Sequence, residues 1–478
     1  MKFASQRHGH WIGGRDSFPP DSKAFSSFNP VDDREYAHFP RGTATDIDAA
    51  VKTAQQAFRS YGKSTAKDRE AIIQRAADLL ERRRDDVFDL LVDEIGSPRG
   101  KAMFEFSTSV SMMRAAAGMA RAMKGATIPS DTPGRLSMSF REPIGVVASI
   151  TPFNVPLIKG VRLSANPLAL GNTVVMLPSE FAPGPARLLA EVYKEAGLPD
   201  GAFNVVAGFG EEIGDSLTTH PDVAMVTFTG SSRVGQHIRE LCARNGKKVT
   251  LELGGKSPMV VMADADLDRA VAGTLHGIFT YQGQVCMGNS RIYVQRSIFD
   301  EFARKFADAA SRLPVGSPRD PDTQIGPIIS ARQRERVNMH VRDAMEKGAT
   351  ALCGNAWTGN CCHPTVLTGV TSAMTVYHEE TFGPVAALYP FDELEEAIEA
   401  ANDTRFGLSS AIFTSNIDAA MHFVSEVRAG MVHVNGSALH DEPHVPFGGI
   451  KDSGSGREGT EADIEAMTEL KWVTIKLN

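Results

Sequence analysis

The sequence predicts an α/β protein made of two doubly wound α/β units and a small β arm, and three observations predict it. From residue 145 short apolar runs alternate with helical patterns, the same alternation restarts after Leu253, and two stretches outside these units alternate apolar with polar residues. Apolar strands without period-2 alternation, spaced by helices, are those of a parallel sheet covered on both faces. A period-2 stretch has one wet face and an edge that needs a partner. Leu136, Met138 and Phe140 after the Pro133-Gly134 turn, together with residues 470–475, therefore imply self-association. At 478 residues the chain has room for two large domains or about three smaller ones.

In chain order, Thr45 with Asp48 reads as a capping box, opening a helix that carries Ile47, Val51, Ala54 and Phe58 at helical spacing. Ile72, Ile73, Ala76, Leu79 and Leu80 carry the next helix. Strands are expected at 145–150, 173–177, 203–207, 224–228 and 258–261. Beyond Leu253 the pattern predicts a helix at 298–313 and strands near 386–389, 409–413 and 431–434, with helices between them. There is no internal repeat and no low-complexity linker.

Composition excludes several classes of function. Fifty Lys and Arg against 58 Asp and Glu leave a net charge of -8, with no basic block to track a phosphate backbone, so no nucleic-acid partner is expected. The most apolar stretch, 145–177, is interrupted by Pro152, Pro156, Lys159, Arg162 and Pro167, and no uninterrupted run reaches the roughly 18 residues a membrane span needs. Residues 1–14 contain no apolar run of signal-peptide length, so the chain is expected to start here and to be cytoplasmic. The five cysteines, Cys242, Cys286, Cys353, Cys361 and Cys362, are odd in number and have no CxxC spacing. That suits a reducing compartment, where a special cysteine is a nucleophile rather than a staple. His8-Gly-His10 and Cys361-Cys362 lack a second ligand pair, and no metal is expected.

Some segments carry chemistry, each beside a plainer reading. Gly208-Phe-Gly210-Glu-Glu-Ile-Gly214 joins a strand to a helix as a dinucleotide fingerprint does, but its spacing is GxGxxxG. Phe228-Thr-Gly230-Ser231-Ser-Arg-Val234-Gly235 also joins strand to helix, and free N–H groups there would hold a pyrophosphate; either segment is equally read as an ordinary turn. Cys286, flanked by Gly283 and Gly288, is a nucleophile or a core thiol. Glu252, in Leu251-Glu252-Leu253-Gly254-Gly255, is an acid in an apolar strand, whose raised pKa would suit a general base, or a strand-end surface residue. Asn154, between Pro152-Phe and Val-Pro156, is an oxyanion donor or a turn residue.

Taken together these segments resemble the aldehyde dehydrogenase superfamily. The resemblance runs from Phe28-Asn-Pro30 through Pro152-Phe-Asn154, Phe228-Thr-Gly230-Ser231, Glu252-Leu-Gly-Gly255-Lys256-Ser-Pro258, Gly283-Gln284-Val-Cys286 and Glu380-Thr-Phe382-Gly383-Pro384 to Pro446-Phe447-Gly448-Gly449. It implies an aldehyde dehydrogenase-like fold: an NAD-binding Rossmann-like domain at 1–124 and 142–252, a catalytic domain at 253–458, and an oligomerisation arm at 125–141 and 459–478. It also implies a mechanism. Cys286 attacks the aldehyde, Asn154 and the Cys286 backbone N–H hold the oxyanion, hydride leaves to the nicotinamide, and Glu252 activates water to release the acid. Relatives that pass the acyl group to coenzyme A generally lack that glutamate, so hydrolysis is expected.

By the same resemblance the cofactor meets Thr151, Pro152, Phe153, Glu180, Gly210, Phe228, Gly230, Ser231, Val234, Leu253, Gly254, Glu380 and Phe382. The chain departs from the family at Leu177-Pro178-Ser179-Glu180, where a lysine usually stands at the first position. Without that lysine, and with Glu180 repelling a 2'-phosphate, NAD is favoured and NADP is the alternative. Arg162, His440-Asp441-Glu442-Pro443-His444 and the Phe447 motif resemble the benzaldehyde, salicylaldehyde and vanillin dehydrogenases. Arg162 is then a cation facing a phenolate, methoxy or carboxylate group, or else an arginine snorkelling to solvent. Val285, Met287, His440 and Phe447 would complete the substrate pocket, and Glu461 resembles a proton-relay glutamate. The reading is NAD-dependent oxidation of an aromatic aldehyde by a homodimer or homotetramer. Its rivals are an aliphatic or semialdehyde dehydrogenase and a non-catalytic member of the fold.

Overall fold

The computed structural model describes residue 4 and residues 6–19 and 22–477; part of the N-terminal stretch 1–14 lies outside them. Five parallel strands form the centre of the first sheet, in spatial order Phe203–Val205, Thr173–Pro178, Val146–Thr151, Val223–Thr229 and Lys248–Glu252. In chain order this is 3-2-1-4-5, so the direction of winding reverses between Val146–Thr151 and Val223–Thr229, the place where doubly wound sheets open a ligand crevice. Val146–Thr151 and Thr173–Pro178 are buried throughout, as continuous apolar strands with helices on both faces require.

The second sheet has seven strands. Six are parallel, in the order Thr365–Thr368, Val385–Phe391, Arg291–Gln295, Pro258–Val261, Ser409–Phe413 and Met431–Val434, and Thr350–Cys353 adds an antiparallel edge. The run at 258–261, read in sequence as continuing the first series, therefore pairs in the second sheet. The fifth parallel strand of the first is Lys248–Glu252, whose alternation of Lys, Thr and Glu with Val and Leu hides it in an apolar search. Gly454–Ser455 crosses back to cap that strand's far edge.

The period-2 stretches pair with each other. Arg135–Pro143 runs antiparallel to Thr468–Lys476 over nine residue pairs, and Ala126–Ile128 adds a third strand. Phe140, Leu470, Trp472 and Ile475 remain exposed on this sheet, Trp472 by 71%. The helix Thr460–Ala466, in the segment assigned to the arm, instead buries Asp463 and Ile464. The first helix, Ala44–Tyr61, is capped by Thr43 with Asp46 and not by Thr45 with Asp48. Both pairs have the T-x-x-D spacing, and Thr43 prevails because its extended backbone lets its side chain accept from the Asp46 N–H. No helix among the described residues is long and apolar enough to cross a membrane.

Candidate active site

Register brings the predicted residues to one edge of the first sheet. Thr151 pairs with Pro178, Phe228 with Ile150, and Thr229 with Glu252, so Thr151-Pro152-Phe153, Glu180, Phe228 to Ser231 and Glu252 to Gly254 all leave the carboxyl ends of adjacent strands. The Gly230 N–H donates to the Glu252 carbonyl, and Ser231 caps the helix Ser232–Arg244, accepting from the Val234 N–H. That thirteen-residue helix presents its positive end to the crevice. Gly210 begins the neighbouring helix Gly210–Thr219.

The fit to a dinucleotide rests on the chemistry of these groups. Glu380 lies against Gly254, accepts the Gly255 N–H at 3.1 Å, and is pushed up to about 7 by burial. Glu180 is also raised by burial, with Glu211 reinforcing and Arg332 opposing the shift. Two carboxylates that accept from hydroxyls, a capped helix N-terminus between them, and the Phe153 ring edge-on to Phe382 at 5.8 Å suit two riboses, a pyrophosphate and a flat ring. Leu177, in place of the family's lysine, is fully buried in its strand.

Cys286 follows a turn that the chain strains to make: Tyr281 and Gln282 are both left-handed, at φ 62° and 51°. A side chain at Gly255 would place its Cβ 2.2 Å from the Cys286 carbonyl, so only glycine lets the strand end carrying Glu252 approach the cysteine loop. Asn154 is buried, and its Nδ2 donates to the Gln284 carbonyl at 2.9 Å, which fixes the amide two residues before Cys286. Cys286 itself packs against Met287, Leu408 and Phe447, with Val285, Met431 and Leu439 completing the cluster. Burial pushes its thiol up to about 12; Glu380 and Glu252 add to this, and Lys159 opposes it.

Glu252 is buried with neither carboxylate oxygen hydrogen-bonded, in space that Gly448 leaves: a Cβ there would stand 2.5 Å from Oε1. Burial, then Glu458, hold this carboxyl well above its ordinary range, against Lys159, Arg162 and Arg457. A buried acid left unpartnered costs stability, typically about 1–3 kcal/mol or more, which marks a group kept for chemistry.

Beside the Phe447 ring lies a buried ionic array. Lys159 Nζ donates to Glu458 Oε2 at 2.6 Å, and Arg162 donates to the same oxygen at 3.3 Å. Arg162 also holds Asp441 bidentately, both contacts at 3.0 Å, and the Glu442 carbonyl at 3.1 Å. Both cations lie over the Phe447 ring, at 4.8 and 5.4 Å from its centre.

The pattern of the aldehyde dehydrogenase family matches residues 18–473. The chain belongs to that family. It is 40% identical over 468 residues to a vanillin dehydrogenase of Pseudomonas sp. strain HR199, covering 97% of each chain. Among solved structures, a salicylaldehyde dehydrogenase from Pseudomonas putida G7 complexed with salicylaldehyde is 36% identical with a TM-score of 0.96, covering 99% of this chain and 98% of that one. An E. coli NADP dependent enzyme also reaches a TM-score of 0.96 at 36% identity, covering 98% of each.

Several aldehyde dehydrogenase residues lie elsewhere than the sequence implied. Arg162 is neither a free cation nor a snorkelling one, being buried and held by Asp441 and Glu458. His440 is 58% exposed, with its Nε2 3.0 Å from Glu442 Oε1. Glu461 is exposed at the start of its helix, and the glutamate that reaches the array is Glu458. Lys159, Glu458 and Asp441 were given no role from sequence, Asp441 being quoted only within the 440–444 motif. The signal was present, since Lys159 and Arg162 are the only charges in an otherwise apolar helix, Pro156–Ala169, and buried cations need partners.

Proposed function

We propose that this aldehyde dehydrogenase oxidises an aromatic aldehyde to the free carboxylic acid with NAD. The observation that carries the chemistry is the conjunction at one site of a buried thiol, an unpartnered buried glutamate and a fixed amide. Because the thiol is pushed up to about 12, it needs a base, and Glu252 is the unpartnered carboxyl whose raised pKa suits one near neutral pH. Glu252 takes the thiol proton and passes it to solvent as Cys286 Sγ adds to the carbonyl carbon, and the second hydrogen of Asn154 Nδ2 and the Cys286 N–H receive the oxyanion. The oxidised nicotinamide, when bound, supplies the hydride acceptor. Glu252 then takes a proton from water as it attacks the thioester carbon; the carbon–sulfur bond breaks and the Cys286 thiolate is released. Residues 151–153, Glu180, Gly230, Ser231, Gly254, Glu380 and Phe382 would hold the cofactor. Glu180 and Glu211 both oppose a 2'-phosphate, which favours NAD over NADP.

The ring preference is supported by the apolar wall of Met287, Leu408 and Phe447 beside Cys286 and by the vanillin and salicylaldehyde relatives. The arm's exposed Phe140, Leu470, Trp472 and Ile475 support assembly as a homodimer or homotetramer, and five free cysteines support a cytoplasmic setting. Initial rates of NADH formation with benzaldehyde, vanillin, salicylaldehyde, hexanal and succinic semialdehyde, each with NAD and NADP, test this reading. The expected result is a higher kcat/KM for the ring aldehydes with NAD; preference for hexanal or the semialdehyde would overturn the ring assignment.

A further inference from the structure

The buried array beside Phe447 is balanced in charge without Glu252. Lys159 and Arg162 contribute two positive charges, Glu458 and Asp441 two negative ones, and each is paired within 3.3 Å. Asp463 lies next to it, bonded to Asn166 Nδ2 and to the Gly459 N–H. Three of the four charges come from two segments: the helix Pro156–Ala169 supplies both cations, and the stretch before Thr460–Ala466 supplies Glu458. The fourth, Asp441, belongs to the 440–444 loop, 279 residues from its partner, and is 14% exposed where Arg162 is 1% exposed.

Glu252 faces Lys159 and Arg162 from the helix, Arg457 and Glu458 from the C-terminal segment, and Cys286 from the strained turn. We propose that Asp441 is a positioning residue that masks Arg162, so that, Arg457 apart, the general base faces paired charges and an anionic aldehyde finds no free cation at Arg162. The proposal rests on the reading of Cys286 as nucleophile and Glu252 as base. Without the Asp441 charge, Arg162 retains the Glu442 carbonyl and, for an ion pair, the Glu458 oxygen it shares with Lys159, and the array gains one net positive charge. That charge favours the ionised form of Glu252 and is open to a carboxylate on the substrate ring.

The test measures two quantities on the full chain: the rate of loss of the acyl group from Cys286 against pH, by quenched mass spectrometry, and the ratio of kcat/KM for carboxybenzaldehyde to that for benzaldehyde. In Asp441→Asn the acid limb of acyl loss should move down by roughly one pH unit and the ratio should rise about tenfold. Asp441→Glu, which keeps the charge, should return both toward the unsubstituted values. An unmoved limb and ratio in the asparagine variant, or a glutamate variant that behaves like it, would overturn the proposal. Arg162→Gln provides the opposite sign should Asp441→Asn not fold: its array is one charge more negative, and the limb should move up; a limb that stays or falls counts against the masking role. Failure of the underlying reading is separately visible as the absence of any acyl group on Cys286 in the unsubstituted chain.

Discussion

The Phe447 ring borders two contrasting environments. It belongs to an apolar cluster in which Cys286 meets Met287 and Leu408, and over its ring lie Lys159 and Arg162, locked to Glu458 and Asp441. The apolar environment keeps the thiol neutral until a base acts, because desolvation disfavours the thiolate. The charged one does the reverse for its own members, since each ion is stabilised by a partner too close to lose. Glu252 is buried with neither carboxylate oxygen hydrogen-bonded. The difference teaches that this site keeps its base available by leaving Glu252 without a hydrogen bond, while the charges that tune it are fixed in pairs elsewhere.

The comparison breaks most completely on the apolar side. Cys286→Ala should lower aldehyde oxidation by roughly 10⁴-fold or more while cofactor affinity, read by fluorescence titration, stays within a few-fold. At the boundary, Glu252→Gln should slow the first NADH and steady turnover alike by about 10²–10⁴-fold, with no rapid burst, because the same carboxyl takes the thiol proton before hydride loss and the water proton after it. The sign of its pH dependence follows from the raised carboxyl. The base acts ionised, so acyl hydrolysis by the unsubstituted protein should rise with pH along a limb above the ordinary carboxylate range, and Glu252→Gln should lack that limb. Asn154→Ala should reduce kcat/KM by roughly 10²–10³-fold in the same steady-state assay, the usual effect of removing one oxyanion donor.

On the charged side the effect turns to stability. Glu458→Gln breaks a buried pair and should cost about 3–5 kcal/mol in a denaturant titration. The smallest effect belongs to Glu461→Gln, an exposed site, expected within ~0.5 kcal/mol and within a few-fold in rate. A rate loss there matching that of Glu458→Gln would restore the relay role the sequence implied.

These differences also mark what could be read in advance. Cys286, Glu252 and Asn154 lie in short contiguous segments, so each was legible as a candidate, while their roles were implied only by the resemblance that the segments carry jointly. The doubly wound units and the paired arm strands were legible from local pattern, since periodicity is a local property. Lys248–Glu252 was harder to place, because two of its five residues are charged and a third is threonine. Thr43 and Thr45 share one spacing, and only backbone conformation separates them. Arg162 was legible as a cation but not as a masked one: its partner is 279 residues away in a loop with no periodicity. Glu458 and Glu461 both follow Arg457 closely, and their roles divide at Gly459, whose φ of 119° turns the chain between them.

The exposed strand Thr468–Lys476 has an optical consequence. The protein has three tryptophans, and Trp11 is buried, Trp357 partly covered, while Trp472 lies in water with its Nε1 bonded to Ser137 Oγ at 2.7 Å. An indole in water emits at longer wavelength than one surrounded by hydrocarbon, so the red edge of the emission spectrum belongs mainly to Trp472. Assembly through the arm would move that edge to the blue on dilution reversal, giving a label-free reading of subunit association from a residue remote from the chemistry.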